Sequence, residues 1–196
     1  MIRKVFIAAS ALATGMVLGT GTALAEPVTY TIDPAHTYPS FEADHMGGMS
    51  LWRGKFNTTS GTVKLDRAAK SGEVDVTVQM ASINFGHDKM AEHAKGADMF
   101  DVAKFPTATY KGKFSKWNGD VPTEVTGDLT MHGVTKPVKL TINSFMCKAN
   151  AMTKKESCGA DAVAQFSRAD FGVNFGENFG FKMDVKVLIS IEAGRS

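Results

Sequence analysis

The chain has 196 residues, with 22 Lys or Arg against 20 Asp or Glu, so its formal net charge is only +2. That length suits one domain with a sizeable core. The near balance of charge gives no basic stripe of the kind that nucleic acids attract, so we expect no nucleic-acid partner.

Residues 1–25 have the pattern of a cleaved secretory signal peptide. Arg3 and Lys4 precede a mostly apolar run, and Ala23 and Ala25 form an A-x-A cleavage signal before Glu26. The apolar run is interrupted and too short to span a bilayer. We therefore expect residues 1–25 to be removed, residues 26–196 to form one domain, and the protein to reach the periplasm.

The first half of that domain alternates apolar and polar residues, which is typical of half-buried strands. The alternation is clearest over residues 73–83. The inward parity changes after Gly61, which predicts a β-bulge there. The predicted inward positions are Val28, Tyr30, Ile32, Phe41, Ala43, His45, Trp52, Gly54, Phe56, Val63, Leu65, Val74, Val76, Val78 and Met80.

The apolar spacing changes between residues 86 and 100. Met90, His93, Ala94 and Ala97 recur at helical intervals. This predicts one short helix over residues 87–98, lying over or beside the sheet.

Two alternating runs within residues 121–142 meet at His132 and Gly133, the pattern of a long antiparallel hairpin with one apolar face. Further strands are predicted around residues 108–114, 163–168 and 185–191. The total is about eight strands with turns at fairly regular spacing. We therefore predict an all-β, eight-stranded antiparallel barrel with one short helix, because closure removes exposed sheet edges.

The only two cysteines, Cys147 and Cys158, flank a polar segment. In an oxidising compartment this arrangement predicts a disulfide bond. The alternative is a redox or metal-binding pair, but there is no C-x-x-C motif and no histidine nearby.

Other chemistry finds little support in the sequence. His36 and His45 could suggest a metal pair with Asp33 or Asp44, yet strand parity offers no shared four-ligand site, so we expect no metal. The chain has no G-x-S-x-G, no H-E-x-x-H, no P-loop and no G-x-G-x-x-G after a strand. We therefore expect no catalytic residues and no enzyme activity.

Four sequence blocks, at residues 30–48, 92–110, 127–138 and 166–172, resemble in order and spacing the signatures of the YceI-like family of bacterial periplasmic proteins. The resemblance implies a lipocalin-like, extended eight-stranded antiparallel barrel whose long hydrophobic channel holds a polyisoprenoid or a similar amphiphile. Departures from the family pattern at Thr37, Met99 and residues 176–185 concern the mouth and length of the channel more than the fold.

An eight-stranded barrel is either filled by side chains or holds one small ligand. Small inward residues and adaptable methionines favour an open barrel interior, whereas inward aromatic rings could fill it. The resemblance favours a channel. The predicted channel residues are Phe41, Phe56, Val76, Val78, Met80, Tyr110, Phe114, Leu129, Met131, Phe166 and Arg168.

Arg168 shares its parity with Phe166, which predicts that it points inward near one barrel end. A buried guanidinium needs a partner. Asp170 is the nearest candidate, and the alternative partner is the polar head of a ligand. We favour the structural pair, since a buried charge is rarely left unpaired.

With the family resemblance supplying the ligand class, we expect a periplasmic carrier that holds a polyisoprenoid, an isoprenoid quinone, a prenyl lipid or a fatty amide. Its ligand would be a bound lipid or quinone rather than a cofactor. The alternative is a stress-related interaction protein that docks transiently on a quinone-using partner in the inner membrane. The sequence leaves the oligomeric state open, with a homodimer as one option.

Overall fold

A computed structural model describes residues 26–196, and the predicted signal peptide lies outside them. Strands dominate the described chain, with one α-helix and three short 3-10 turns. The elements are β1 (Val28–Ile32), β2 (Tyr38–His45), β3 (Ser50–Phe56), β4 (Thr59–Asp66), β5 (Ser71–Gln79), β6 (Ile83–Asn84), α1 (Asp88–Lys95), β7 (Thr107–Asn118), β8 (Val121–Met131), β9 (Val134–Ala149), β10 (Glu156–Ser167) and β11 (Asp184–Arg195).

Eight of these strands form a closed antiparallel ring. β1 pairs with β4 on one side and with β11 on the other, which closes the order β1-β4-β5-β7-β8-β9-β10-β11. β2, β3 and β6 continue the sheet from β11 outside the ring. The predicted fold class is therefore confirmed.

The predicted hairpin is present as β8 and β9, with Met131 paired to Val134. Its two turn residues, His132 and Gly133, have φ values of 52° and 77°. Two left-handed residues suit the right-handed twist of a tight hairpin. Val125, Met131 and Val138 are buried on its inner face, as the alternation predicts.

The predicted parity change is real, but its position and form differ. The chain breaks between β3 and β4 at Asn57 and Thr58 instead of forming a bulge after Gly61. Before this break the strand pairs with β2 and β6, and after it with β1 and β5. The change of partners explains why the inward parity shifts.

The predicted helix is present but shorter than residues 87–98. It spans Asp88–Lys95, after His87 as N-cap, whose side chain accepts a hydrogen bond from the Met90 N–H. Gly96 is in an extended conformation and ends the helix. No helix among residues 26–196 is long and apolar enough to cross a membrane.

The predicted disulfide is confirmed. Cys147 in β9 and Cys158 in β10 lie directly opposite each other, and their sulfur atoms are bonded. Both strands reach further into the intervening segment than the sequence suggests, so only residues 150–155 remain as the connection.

The core consists of two clusters of buried side chains. One contains Met80, Met131, Phe171 and Val173, and the 3-10 turn Arg168–Phe171 contributes to it. The other is centred on Tyr30, Ile32 and Leu65 together with the disulfide. Residues from both clusters line the cavity that runs inside the ring.

Candidate ligand channel

The barrel encloses an apolar cavity of 220 Å³, and every strand of the ring contributes to its wall. A single water molecule needs only about 10–15 Å³ by the same measure, so the space is an order of magnitude larger. Along β5 the wall runs from Val74 to Val78. At about 3.3 Å per residue this is a length of roughly 13 Å.

The cavity exists because small side chains occupy inward positions. Ala108, Ala162, Ala164 and Ala193 are all buried and line the wall. Four phenylalanine rings also line the wall, and the cavity remains open between them. Phe56 and Phe166 belong to the first cluster, and Phe114 and Phe145 to the second.

Nine of the eleven predicted channel residues line this cavity. Eight of them lie on five strands of the sheet, where alternation places them on the inner face, and the ninth lies in the 3-10 turn that follows β5. The nine are Phe56, Val76, Val78, Met80, Tyr110, Phe114, Leu129, Met131 and Phe166.

Phe41 is not among the lining residues, although Pro39, two residues earlier in β2, is. Its ring packs against Phe56, with centroids 5.8 Å apart, and edge-on against Phe85, at 5.5 Å. It therefore packs beside a wall residue instead of facing the cavity.

Arg168 also lies outside the cavity wall, although it is buried as predicted. Its Nη1 donates to the carbonyl of Val173 at 2.7 Å, and its Nη2 to the carbonyl of Phe175 at 2.8 Å. These carbonyls take the place of the predicted partner Asp170. Burial lowers the pKa of the guanidinium, an effect that the nearby carboxylate of Glu177 opposes.

The ionisable groups in the wall are uncharged at neutral pH. Burial, followed by the hydrogen bond to Glu156, raises the pKa of Tyr30 to about 12. Burial also raises the pKa of Tyr110, whose hydroxyl donates to the carbonyl of Val138 at 2.9 Å. The cavity therefore presents an apolar, neutral surface that suits a hydrocarbon chain.

Sequence reasoning missed part of the wall. Continuing the inward parity of Ala164 and Phe166 back along β10 would have found several of these residues, but the sequence predicted a strand only around residues 163–168. The wall residues for which no inward position was predicted are Thr37, Pro39, Thr59, Phe145, Cys158, Gly159, Ala160, Ala162 and Ala193.

The histidines that could suggest a metal pair have other neighbours. Nδ1 of His36 lies 2.7 Å from Oδ2 of Asp33. The ring of His45 stacks on that of Trp52, with centroids 4.7 Å apart. Within residues 26–196, no three His, Cys, Asp or Glu side chains are grouped so that they could hold a metal ion.

Comparisons with known proteins agree with this architecture. The YceI-like domain model matches residues 30–193. A UPF0312 protein of Pseudomonas putida is 34% identical over 178 residues, which cover 88% of this chain and 88% of that protein. The crystal structure of Burkholderia cenocepacia BcnA matches with a TM-score of 0.65 and 25% identity, over 83% of this chain and 99% of that chain.

A polyisoprenoid binding domain from Saccharophagus degradans, implicated in plant cell wall breakdown, matches with a TM-score of 0.62 over 86% of this chain and 99% of that chain. At 15% identity this likeness bears on the fold alone. The family match and the Pseudomonas relative go further, since each spans most of the chain. The chain belongs to the YceI-like domain family.

Proposed function

We propose that this protein binds a polyisoprenoid or a similar long-chain amphiphile in its barrel and carries it through the periplasm. The single observation that carries the proposal is the continuous apolar cavity inside the ring. Burying about 400 Å² of apolar ligand surface is favourable by roughly 10 kcal/mol before the cost of association. That cost is of the order of 4–15 kcal/mol, so a long chain binds well and a short one poorly.

The ligand class includes isoprenoid quinones, prenyl lipids and fatty amides, because each combines a long apolar chain with a small polar head. A structural neighbour described as a polyisoprenoid binding domain has the same fold, which supports this class. The proposed role is binding without chemical conversion. Among residues 26–196, the titratable side chains in the wall are Tyr30 and Tyr110, whose raised pKa values make them poor proton-transfer groups at neutral pH.

The proposal places the protein in the periplasm, on the basis of the signal-peptide pattern in residues 1–25. The disulfide between Cys147 and Cys158 supports that location, because such bonds persist in oxidising compartments. A carrier is useful there, since each exposed methylene of a lipid costs about 0.8 kcal/mol in water. Osmotic-shock fractionation and N-terminal sequencing of the mature protein test this part.

Mass spectrometry of organic extracts from gently purified protein tests the ligand. A co-purifying prenyl lipid or quinone in near-stoichiometric amount is the expected result. Repeatedly empty protein that also fails to take up added geranylgeraniol, a C20 prenyl alcohol, would refute the carrier.

A matched pair of variants localises the ligand. Ala164→Phe adds a ring to the cavity wall, whereas Gln165→Phe adds the same ring to an exposed position next to it in β10. We expect at least a tenfold loss of geranylgeraniol affinity in the first variant and wild-type affinity in the second. Equal affinity in both variants would place the ligand elsewhere.

Docking on a quinone-using partner in the inner membrane is the other function considered from the sequence. It uses the outer surface and requires no cavity, so the observed cavity favours the carrier. Empty protein that purifies with a stoichiometric membrane partner would reverse this preference.

A further inference from the structure

The inner face of β2 and β3 continues past the end of the cavity wall. Pro39 in β2 and Phe56 in β3 both line the cavity. Alternation along β2 puts Phe41 and His45 on the same face as Pro39. Alternation along β3 likewise puts Trp52 on the same face as Phe56. The two strands therefore carry the inner face of the sheet beyond the cavity, towards the turn that joins them.

Five aromatic side chains contact one another in a row along this face. The row begins at Phe41, which packs against the cavity wall and edge-on against Phe85. The ring of Phe85 lies 6.3 Å from that of Trp52, and Trp52 stacks on His45 with an interplanar angle of 30°. His45 meets Phe181 edge-on, with centroids 5.2 Å apart. These five side chains form the aromatic strip.

The backbone around the aromatic strip is shaped to hold these rings. A Cβ atom at Gly54 would lie 2.5 Å from Cζ of Phe41 and 3.1 Å from Cδ1 of Phe85. Both rings therefore rest directly on the backbone of β3, which only glycine permits. At the other end of the strip, the backbone N–H of Lys182 donates to Oδ2 of Asp44 at 3.0 Å and ties the segment before β11 to the end of β2.

The aromatic strip remains accessible, unlike the core. Each of its five side chains is only partly buried, whereas the core residue Phe171 is 1% exposed. The strip also differs in chemistry from the cavity wall, which is mostly aliphatic. Aromatic faces bind planar rings by offset stacking, and a neutral imidazole such as that of His45 carries one N–H donor. A partly open aromatic surface beside a ligand cavity is therefore suited to a flat, oxygen-bearing ring.

We infer that the aromatic strip is a second binding surface, which holds the ring of a ligand whose chain lies in the cavity. This inference rests on the proposed function and narrows the ligand class to amphiphiles with a planar conjugated head, such as a quinone or a phenol. The ring stacks on Trp52, and His45 donates a hydrogen bond to one of its oxygen atoms. Trp52 lies four residues from Phe56, roughly 13 Å at about 3.3 Å per residue, so only a long chain spans both surfaces.

The test compares two ligands with the same C20 prenyl chain, geranylgeraniol and menaquinone-4, whose chain is attached to a naphthoquinone ring. Protein is incubated with an equimolar mixture of the two and freed of excess ligand by gel filtration, and the bound ligands are quantified by mass spectrometry. The ratio of the two bound ligands reports the preference for the ring, and any loss of folded protein affects both ligands alike.

We expect wild type to prefer menaquinone-4 and Trp52→Leu to reduce that preference by about tenfold, because the ring loses its stacking partner. Trp52→Phe keeps an aromatic face and should retain most of the preference. Arg53→Leu places the same new side chain at the next position of β3, on the opposite face, and should leave the preference unchanged. His45→Leu should lower it as Trp52→Leu does.

The two tryptophans of the chain locate the ring directly, because quinones quench tryptophan fluorescence at short range. Trp117→Phe leaves Trp52 as the reporter in the aromatic strip. Trp52→Phe leaves Trp117, which packs against the second core cluster. Menaquinone-4 should quench the first protein at least threefold more efficiently than the second, and geranylgeraniol should quench neither.

Unchanged preference in Trp52→Leu, equal quenching of the two tryptophans, or wild type that takes up geranylgeraniol but not menaquinone-4 would each overturn the inference and leave the carrier function intact. Wild type that takes up neither ligand would overturn the proposed function as well. If Trp52→Leu does not fold, His45→Leu provides the same comparison from the other side of the stacked pair.

Discussion

The carbonyl oxygen of Val173 accepts a 2.7 Å hydrogen bond from Nη1 of Arg168, five residues earlier in the chain. The second nitrogen of the same guanidinium donates to Phe175 at 2.8 Å, and the backbone N–H of Arg168 donates to Met183. Arg168 thus binds the first half of the segment between β10 and β11 through its buried side chain and the end of that segment through its backbone N–H. This arrangement assigns Arg168 a structural role at the barrel end.

Replacing Arg168 by Met should therefore lower the free energy of unfolding by about 2–4 kcal/mol, because two buried carbonyls lose their donors. Urea denaturation measures this change. Asp170→Asn should stay within about 0.5 kcal/mol of wild type, as expected of a residue without such contacts. The folded Arg168→Met protein should bind geranylgeraniol as wild type does. Weakened binding together with wild-type stability would instead show that Arg168 contacts the ligand.

Arg168 also illustrates what the sequence could predict and what it could not. Its inward parity correctly predicted burial, because strand alternation has a strict period of two. Its partners could not be predicted, since they are backbone carbonyls delivered by the 3-10 turn Arg168–Phe171 and by Gly172, whose φ is +76°. The sequence analysis looked for a partner among charged side chains, so it overlooked these carbonyl acceptors and selected Asp170.

The cavity wall likewise includes residues that the sequence predicted and residues that it did not. The alternation in β5, β7 and β8 predicted most of the channel residues that line it, Val76 and Tyr110 among them. Phe41 was misplaced because parity assigns a face of a strand but does not show how far along that face the cavity extends: Pro39, two residues earlier in β2, lines the cavity and Phe41 does not. Thr59 was missed because it follows the break at Asn57 and Thr58, where parity restarts.

The tight turn between β8 and β9 yields a prediction about Gly133. This residue has a φ of +77°, and a Cβ atom there would lie 2.7 Å from Cε1 of Phe105. Gly133→Ala should lower the free energy of unfolding by about 2–3 kcal/mol, through left-handed strain and displacement of that ring.

Gly119 is a suitable control for this change, because its φ of +62° is similar but a Cβ atom would meet nothing within 4 Å. Gly119→Ala should cost only the backbone strain, about 1 kcal/mol. Both values come from chemical denaturation under the same conditions. Equal destabilisation by the two substitutions would show that the Phe105 contact contributes nothing.

The disulfide should contribute measurably to stability. Cys147 and Cys158 are 11 positions apart, and closing a loop of that size raises the free energy of the unfolded chain by about 3 kcal/mol, because it removes conformational entropy. Reduction with dithiothreitol should therefore shift urea unfolding to lower denaturant, with alkylation confirming two free thiols. The double variant Cys147→Ala/Cys158→Ala should not respond to reductant. Unchanged stability of the fully reduced wild-type protein would contradict the prediction.

The pair formed by Asp33 and His36 predicts a specific pH dependence. The hydrogen bond from the protonated imidazole of His36 to the Asp33 carboxylate raises the pKa of His36 above its usual value, and the same bond lowers the pKa of Asp33. The contribution of the raised histidine is complete below its ordinary pKa, about 6.5, and is lost as pH rises through the folded-state value. The contribution of the lowered aspartate is present above its ordinary pKa, about 3.9, and is lost as pH falls through its folded-state value.

The pair should therefore stabilise the turn most between about pH 4 and pH 6.5, the window bounded by these two ordinary values. NMR titration of the imidazole Hε1 signal measures the effect directly. Asp33→Asn should return the pKa of His36 towards its ordinary value, whereas Asp88→Asn, at an exposed position in α1, should leave it unchanged. A wild-type His36 that already titrates at the ordinary value would show that the 2.7 Å contact does not persist in solution.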